Sequence, residues 1–316
     1  MSRGARPLCS PREGAIDAVI ETSGLSKRFR KRVAVHPIDL SVPGGSIFGY
    51  LGPNGAGKTT TIRMLLGLAR PTAGSARLLG RDVPEGLGPL RLQIGSVLEN
   101  PAFYPRLSAR QNLRILAKTA GDRAALRRVG PLLERLGLAD RAKDRVRTYS
   151  HGMRQRLGLA ASLLHDPEVI VLDEPATALD PAGIRDVRAL LSTLRDEGKT
   201  IFISSHLLSE VEQICDQVCV VSKGRQVYQG TLSGLTATAG ERVRVEIQDV
   251  AAAESALRSL GWTFEREHDA LVVDGIPASE VNRALAARGL FAHGLAASSR
   301  KLEDVFLELT EEPPGA

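Results

Sequence analysis

The sequence predicts an α/β fold built on a largely parallel sheet, followed by a small α+β domain. Three observations carry this prediction. Apolar runs at 46–51, 169–172, 200–204 and 218–221 read as short buried strands, and stretches of helical periodicity separate the first three of them. A glycine-rich octapeptide, Gly52-Pro53-Asn54-Gly55-Ala56-Gly57-Lys58-Thr59, stands between the first of these strands and a helix over about 58–68. After Gly230-Thr231 the pattern changes to strand 242–247, helix 251–260, strand 270–273, and helices 278–288 and 302–309.

The remaining elements follow in order. Residues 1–17 hold Arg3, Arg6 and Arg12 without an apolar core, so a disordered basic tail is expected rather than a signal peptide. Segments 18–25 and 33–42 alternate as strands around the basic turn Lys27-Arg28-Phe29-Arg30-Lys31-Arg32, an antiparallel edge to the sheet. Further short strands are read at 76–79 and 93–98, and a helical subdomain at about 100–165. Asp180-Pro181 opens a helix over 181–197 as N-cap and first helical residue. The domain reading is thus 1–17 tail, 18–231 main domain and 232–316 accessory domain.

Composition narrows the class. Only three cysteines occur, Cys9, Cys215 and Cys219, which is no disulfide framework and suits a reduced, cytoplasmic protein. No apolar stretch approaches the roughly 18 residues a membrane span needs, so any membrane role is expected through a partner. The net charge of +6 fits a solvated basic face first and attraction to an anionic membrane second. No nucleic-acid-binding motif accompanies it, and nucleic acid is not an expected partner.

The octapeptide fits G-x-x-x-x-G-K-T in full, the pattern of a phosphate-cradling loop. Its glycines let backbone N–H groups turn onto phosphates at a helix N-terminus, with Thr60 next in the chain. Lys58 neutralises the β- and γ-phosphates, and the Thr59 hydroxyl faces Mg²⁺. Such a loop serves ATPases, GTPases and kinases alike. Val169-Ile170-Val171-Leu172-Asp173-Glu174 supplies the second part: a buried strand ending in two carboxylates, Asp173 for Mg²⁺ and Glu174 to polarise an attacking water. Taken alone, the pair also fits two solvated acids. No Asn-Lys-x-Asp guanine reader occurs, which disfavours a GTPase.

With these residues in place the chain resembles the ATP-binding subunits of ABC transporters over about 20–230. Tyr149-Ser150-His151-Gly152-Met153-Arg154-Gln155-Arg156 is similar to the signature loop, which implies that Ser150 and Gly152 face the γ-phosphate of ATP held by a second copy. Ala178-Leu179-Asp180 resembles the loop that crosses that dimer interface, and His206, after Ile201-Phe202-Ile203-Ser204-Ser205, the switch histidine. Phe29, which reads equally as a core ring, falls where the family stacks an aromatic on adenine. Two departures are visible: Glu99 stands where the family has a Gln that meets Mg²⁺, and His151 and Met153 stand in the signature loop where Gly and Gln are usual.

The stretches Leu98-Glu99-Asn100-Pro101-Ala102-Phe103-Tyr104-Pro105 and Leu302-Glu303-Asp304-Val305-Phe306-Leu307 resemble the exporter branch that includes bacitracin-type peptide antibiotic and drug exporters. The resemblance implies a head-to-tail homodimer that binds and hydrolyses ATP with Mg²⁺. It further implies attachment to a transmembrane permease at the inner face of the cell membrane. Glu99 and His151 motivate an alternative, an ATP-dependent switch with weak turnover.

Overall fold

The computed structural model describes residues 18–98, 101–177, 179–238, 241–299 and 302–310. The predicted tail 1–17, the predicted magnesium ligand Glu99, its neighbour Asn100 and Ala178 of the interface loop lie outside the described residues. The chain divides into two compact units, one of residues 1–48 and 57–204, the other of 49–56 and 205–316.

In the first unit, strand Ala18–Phe29 pairs antiparallel with Arg32–Ile38, Ser41–Pro43 and Ala73–Leu78, and the last with Arg81–Val83. The basic turn between the first two strands holds Arg30 at φ 51, and Phe29 stands at the strand's end. A second sheet runs in the order of the start of Ile47–Leu51, then Thr200–Ser205, Val169–Asp173 and Ile94–Val97. The last three are parallel, with Val97 opposite Leu172 and Asp173 opposite Ser204. Every residue of Val169–Asp173 and Thr200–Ser205 is buried, as expected for parallel strands covered on both faces. Phe48 and Phe202 stack with ring centroids 5.7 Å apart in this core.

The longer helices of the unit are Lys58–Leu65, Ala109–Thr119, Arg123–Arg135, His151–Ser162 and Pro181–Asp196. Several of their caps are side chains. Ser108 and Gln111 form a capping box, Ser150 accepts from the Met153 N–H, and Asp180 accepts from the Gly183 N–H. The first helix ends at Leu65 rather than near 68 because Gly67 turns left-handed at φ 67, two residues beyond it.

Asp122 caps helix Arg123–Arg135 by accepting from the Ala124 and Ala125 N–H groups, and its Oδ2 lies 2.9 Å from His165 Nδ1. The His165 bond first, then the cap bonds, hold this carboxyl below its ordinary value of 3.8 despite burial. A carboxylate lowered in the folded state adds stability above its ordinary pKa and loses it as pH falls through the folded value. Asp122→Asn keeps a good cap and removes the charge. At about pH 6 the variant is expected to be less stable by about 1 kcal/mol. The gap should close as the medium is acidified below 3.8, read from urea unfolding midpoints across the acid range.

In the second unit, the end of strand Ile47–Leu51 neighbours Gln217–Ser222, which forms an antiparallel hairpin with Arg225–Thr231. A four-stranded antiparallel sheet follows in the order Phe264–Glu267, Ala270–Asp274, Glu241–Ile247, Ala292–Ser299. Helices Val250–Ser259 and Ala278–Ala286 cover one face, where Val243, Val245, Leu257, Leu271, Val273, Val281 and Leu285 form the core. The outer face carries Arg242 and Arg244, ion-paired to Glu265, Asp274 and Glu267. The last helix, Leu302–Thr310, packs instead on strand Gln217–Ser222 and the short helices Leu208–Val211 and Leu232–Thr238. There Ser222 Oγ donates to the Thr310 carbonyl at 3.1 Å.

Candidate functional site

The phosphate-loop octapeptide begins in the second unit and ends in the first. Gly52 is buried against Val221, whose carbonyl oxygen leaves no room for a β-carbon at that position, so no larger residue fits. Its N–H donates to the Ser205 carbonyl at 3.3 Å. Pro53, Asn54 and Gly55 are exposed, and Ala56 turns inward to donate to the Pro53 carbonyl at 3.2 Å. Gly57, at φ 97, is the N-cap of helix Lys58–Leu65, and a β-carbon there would lie 2.7 Å from the Ala34 carbonyl oxygen. The loop's path therefore requires glycine for both backbone conformation and space.

Four predicted residues of the first unit converge. Thr59 Oγ1 donates to Asp173 Oδ2 at 2.7 Å, joining the helix start to the end of strand Val169–Asp173. Lys58 Nζ lies 3.3 Å from Glu174 Oε1, with the lysine 6% and the glutamate 26% exposed. Glu174 Oε2 accepts from Thr177 Oγ1 at 3.0 Å. Glu174 itself sits at φ 50, a left-handed conformation that a side-chain-bearing residue adopts only when its surroundings impose it. Its N–H donates to the Ser204 carbonyl at 3.2 Å and to Ser204 Oγ at 3.0 Å. Ser204 Oγ in turn donates to Asp173 Oδ1 at 2.5 Å.

Ser204 did not emerge from sequence reasoning. The available signal was a pair of hydroxyls, Ser204-Ser205, closing an otherwise apolar buried strand. Ser205 Oγ accepts from the Leu207 N–H at 3.0 Å, a tight local turn that carries His206 in the second unit.

A second group forms around the signature loop. Ser150 is exposed and caps helix His151–Ser162. A β-carbon on Gly152 would lie 3.2 Å from Leu179 Cδ2, so the signature glycine faces the residue before Asp180. Arg156 and Asp186, 3.1 Å apart, tie this helix to Pro181–Asp196. The buried Gln155 donates from Nε2 to the Pro175 carbonyl at 3.3 Å, beside Glu174. Phe29 is 52% exposed, with Lys27 Nζ 5.0 Å from its ring centre, which removes the core reading.

The donor set at Thr59 and Asp173 consists of oxygen atoms, which suits a hard cation such as Mg²⁺. Among the described residues no group of three or more His, Cys, Asp or Glu side chains could hold a metal. One carboxylate and one hydroxyl beside a phosphate-binding loop is the usual protein share of an Mg²⁺–nucleotide site. The pair fits the ion.

A part-buried carboxylate–hydroxyl pair, a lysine and a second acid beside a glycine loop define a nucleotide-hydrolysing P-loop protein. The family described as ABC transporter matches residues 35–177. The chain is 40% identical over 299 residues to the bacitracin transport ATP-binding protein BcrA of Enterococcus faecalis, spanning 93% of this chain and 97% of that protein. It is 40% identical over 304 residues to the daunorubicin resistance ATP-binding protein DrrA3 of Streptomyces coeruleorubidus, spanning 93% and 96%. A solved ATP-binding subunit of an ABC transporter superposes with a TM-score of 0.65 at 29% identity, covering 70% of this chain and 92% of that one. The chain belongs to the ATP-binding proteins of ABC transporters. It is an ATPase whose hydrolysis is coupled to transport. No helix among the described residues is long and apolar enough to cross a membrane.

Proposed function

We propose that the chain powers efflux of a drug, a peptide antibiotic or a lipid-like compound through a separate permease, working as a head-to-tail dimer at the inner face of the membrane. The relatives named for bacitracin transport and daunorubicin resistance support the kind of cargo. The observation that carries the mechanism is the convergence of Lys58, Thr59, Asp173 and Glu174. In this reading residues 18–231 form the ATPase cassette and 232–316 an accessory domain.

The N–H groups of Gly52, Pro53-Asn54-Gly55, Ala56 and Gly57 surround the phosphates of ATP wherever the residue has one to give, and Thr60 extends the cradle. Phe29 stacks on the adenine ring. Thr59 and Asp173 would hold Mg²⁺, with Glu99 as the further ligand the family resemblance implies, and the ion would neutralise phosphate charge when bound. Lys58 exchanges its Glu174 carboxylate for phosphate oxygens. Glu174, thus released, accepts a proton from the attacking water. The new P–O bond forms as the bond to the β-phosphate breaks, leaving ADP and inorganic phosphate. His206 orients that water from the γ-phosphate side. Ser150 and Gly152 of the second copy close over the γ-phosphate, and Asp180 crosses the interface.

This reading predicts a nucleotide-dependent change of mass. The Glu174→Gln protein should run as a monomer without nucleotide and as a dimer with ATP, measured by light scattering behind a sizing column. A strict monomer at saturating ATP would sink the sandwich.

A further inference from the structure

We infer that Ser204 is a positioning residue for the hydrolysis reaction, one hydroxyl that sets the orientation of both acids. The inference rests on the assignment of Asp173 and Glu174 above.

Parallel pairing of Val169–Asp173 with Thr200–Ser205 places Ser204 directly opposite Asp173, at the carboxyl ends of two central strands. Ser204 has no exposed surface. In that dry position its hydroxyl cannot trade partners with solvent, and both of its hydrogen-bonding capacities are used. The proton goes to Asp173 Oδ1 at 2.5 Å, and a lone pair accepts the Glu174 N–H at 3.0 Å.

Each bond constrains a different acid. Asp173 Oδ2 already accepts from Thr59 Oγ1 at 2.7 Å, so the Ser204 bond to Oδ1 fixes the second oxygen and with it the plane of the carboxylate. The carboxylate then cannot rotate away from the Thr59 side. For Glu174 the bond acts on the backbone. Its left-handed φ of 50 is held by two acceptors on one residue, the Ser204 hydroxyl and the Ser204 carbonyl. That turn aims the Glu174 side chain at Lys58 instead of along the strand direction. An alanine at 204 would keep the carbonyl bond, lose the hydroxyl, and leave a buried Asp173 oxygen short of a donor.

Outer partners of this kind cost about 10- to 100-fold in activity when removed. Ser204→Ala is therefore expected to lower kcat for ATP hydrolysis by about 10- to 100-fold. The KM for ATP, and the Kd for a fluorescent ATP analogue, should stay within about threefold, because phosphate contacts come from residues Ser204 does not touch. Ser204→Thr retains the hydroxyl and should recover most of the rate. Ser204→Cys, close in shape but a weak donor, should not. On a Glu174→Gln background Ser204→Ala should add little, since residues acting as one unit are not additive.

A Ser204→Ala protein with wild-type kcat overturns the inference. So does a Ser204→Cys protein at full rate, which also decides the matter if the alanine variant does not fold. A parallel loss of ATP-analogue binding and unfolding midpoint would mark a purely structural residue and overturns it too. The assignment beneath fails separately: if Glu174→Gln hydrolyses at the wild-type rate, Glu174 is not the base. If Glu174→Gln is dead while Ser204→Ala is fully active, only Ser204 loses its role.

Discussion

Replacing Glu174 by Gln is expected to slow steady-state ATP hydrolysis by about 10²- to 10⁴-fold, the usual worth of a positioned general base. Binding should move the other way. In the free protein Glu174 Oε1 lies 3.3 Å from Lys58 Nζ, so ATP has to compete with a carboxylate for that ammonium. A neutral amide of the same shape weakens the competition and removes a negative charge beside the γ-phosphate. Glu174 is 26% exposed, so solvent damps the effect, and a gain in ATP affinity of about 3- to 10-fold is the expected scale. The thermal midpoint of the nucleotide-free protein should fall, because the 6%-exposed Lys58 ammonium loses its carboxylate partner even though the amide can still accept from Thr177 Oγ1. Single-turnover hydrolysis and equilibrium binding of ATP on one preparation test both signs at once. A variant that binds more weakly than wild type would contradict the exchange of Lys58 between Glu174 and phosphate, even if hydrolysis collapses.

That experiment uses residues the sequence announces, and the reason they are legible is chemical. The loop at 52–59 needs glycine where the backbone turns left-handed at Gly55 and Gly57, and where Val221 leaves no room at Gly52. Such demands leave a pattern in the residues themselves. The strand Val169–Asp173 is equally visible, since burial on both faces makes it continuously apolar until the acids. Asp180-Pro181 marks its helix because capping is a local interaction.

What stayed hidden depends on pairing between distant segments. Ser204 matters only because register sets it against Asp173, and no feature of residues 200–205 specifies that neighbour. Strand Arg225–Thr231 has no fully buried residue and reads as polar chain until Gln217–Ser222 supplies its partner. Strand Ala292–Ser299 is built of Ala, Gly, Ser, His and Leu, a composition of weak β preference, and exists through its long antiparallel ladder with Glu241–Ile247. Phe29 was ambiguous for the same reason: whether a ring is core or surface is a property of what surrounds it.

Lys58→Ala should remove ATP binding rather than turnover alone, with affinity falling by roughly 100-fold or more. The lysine is 6% exposed at the first turn of helix Lys58–Leu65, and the Glu174 carboxylate lies within ion-pair distance of its ammonium. A buried ammonium next to phosphate oxygens makes charge-assisted bonds in a poorly hydrated site, each worth about 1.5–3 kcal/mol. Two such bonds account for the expected loss. The variant protein should nevertheless fold. Removing the ammonium leaves behind a carboxylate that is 26% exposed and still bonded to Thr177, so the charge can hydrate. The packing of the lysine's three methylenes is lost from the helix start, about 2 kcal/mol. The two replacements therefore separate the acid from the base of one ion pair. Glu174→Gln keeps nucleotide and stops chemistry; Lys58→Ala keeps the fold and loses nucleotide, along with the ATP-driven dimer that depends on it. An Ala variant that binds ATP at wild-type strength would place the phosphates elsewhere and overturn the site. Isothermal titration of ATP into both variants, beside their urea unfolding curves, distinguishes these outcomes.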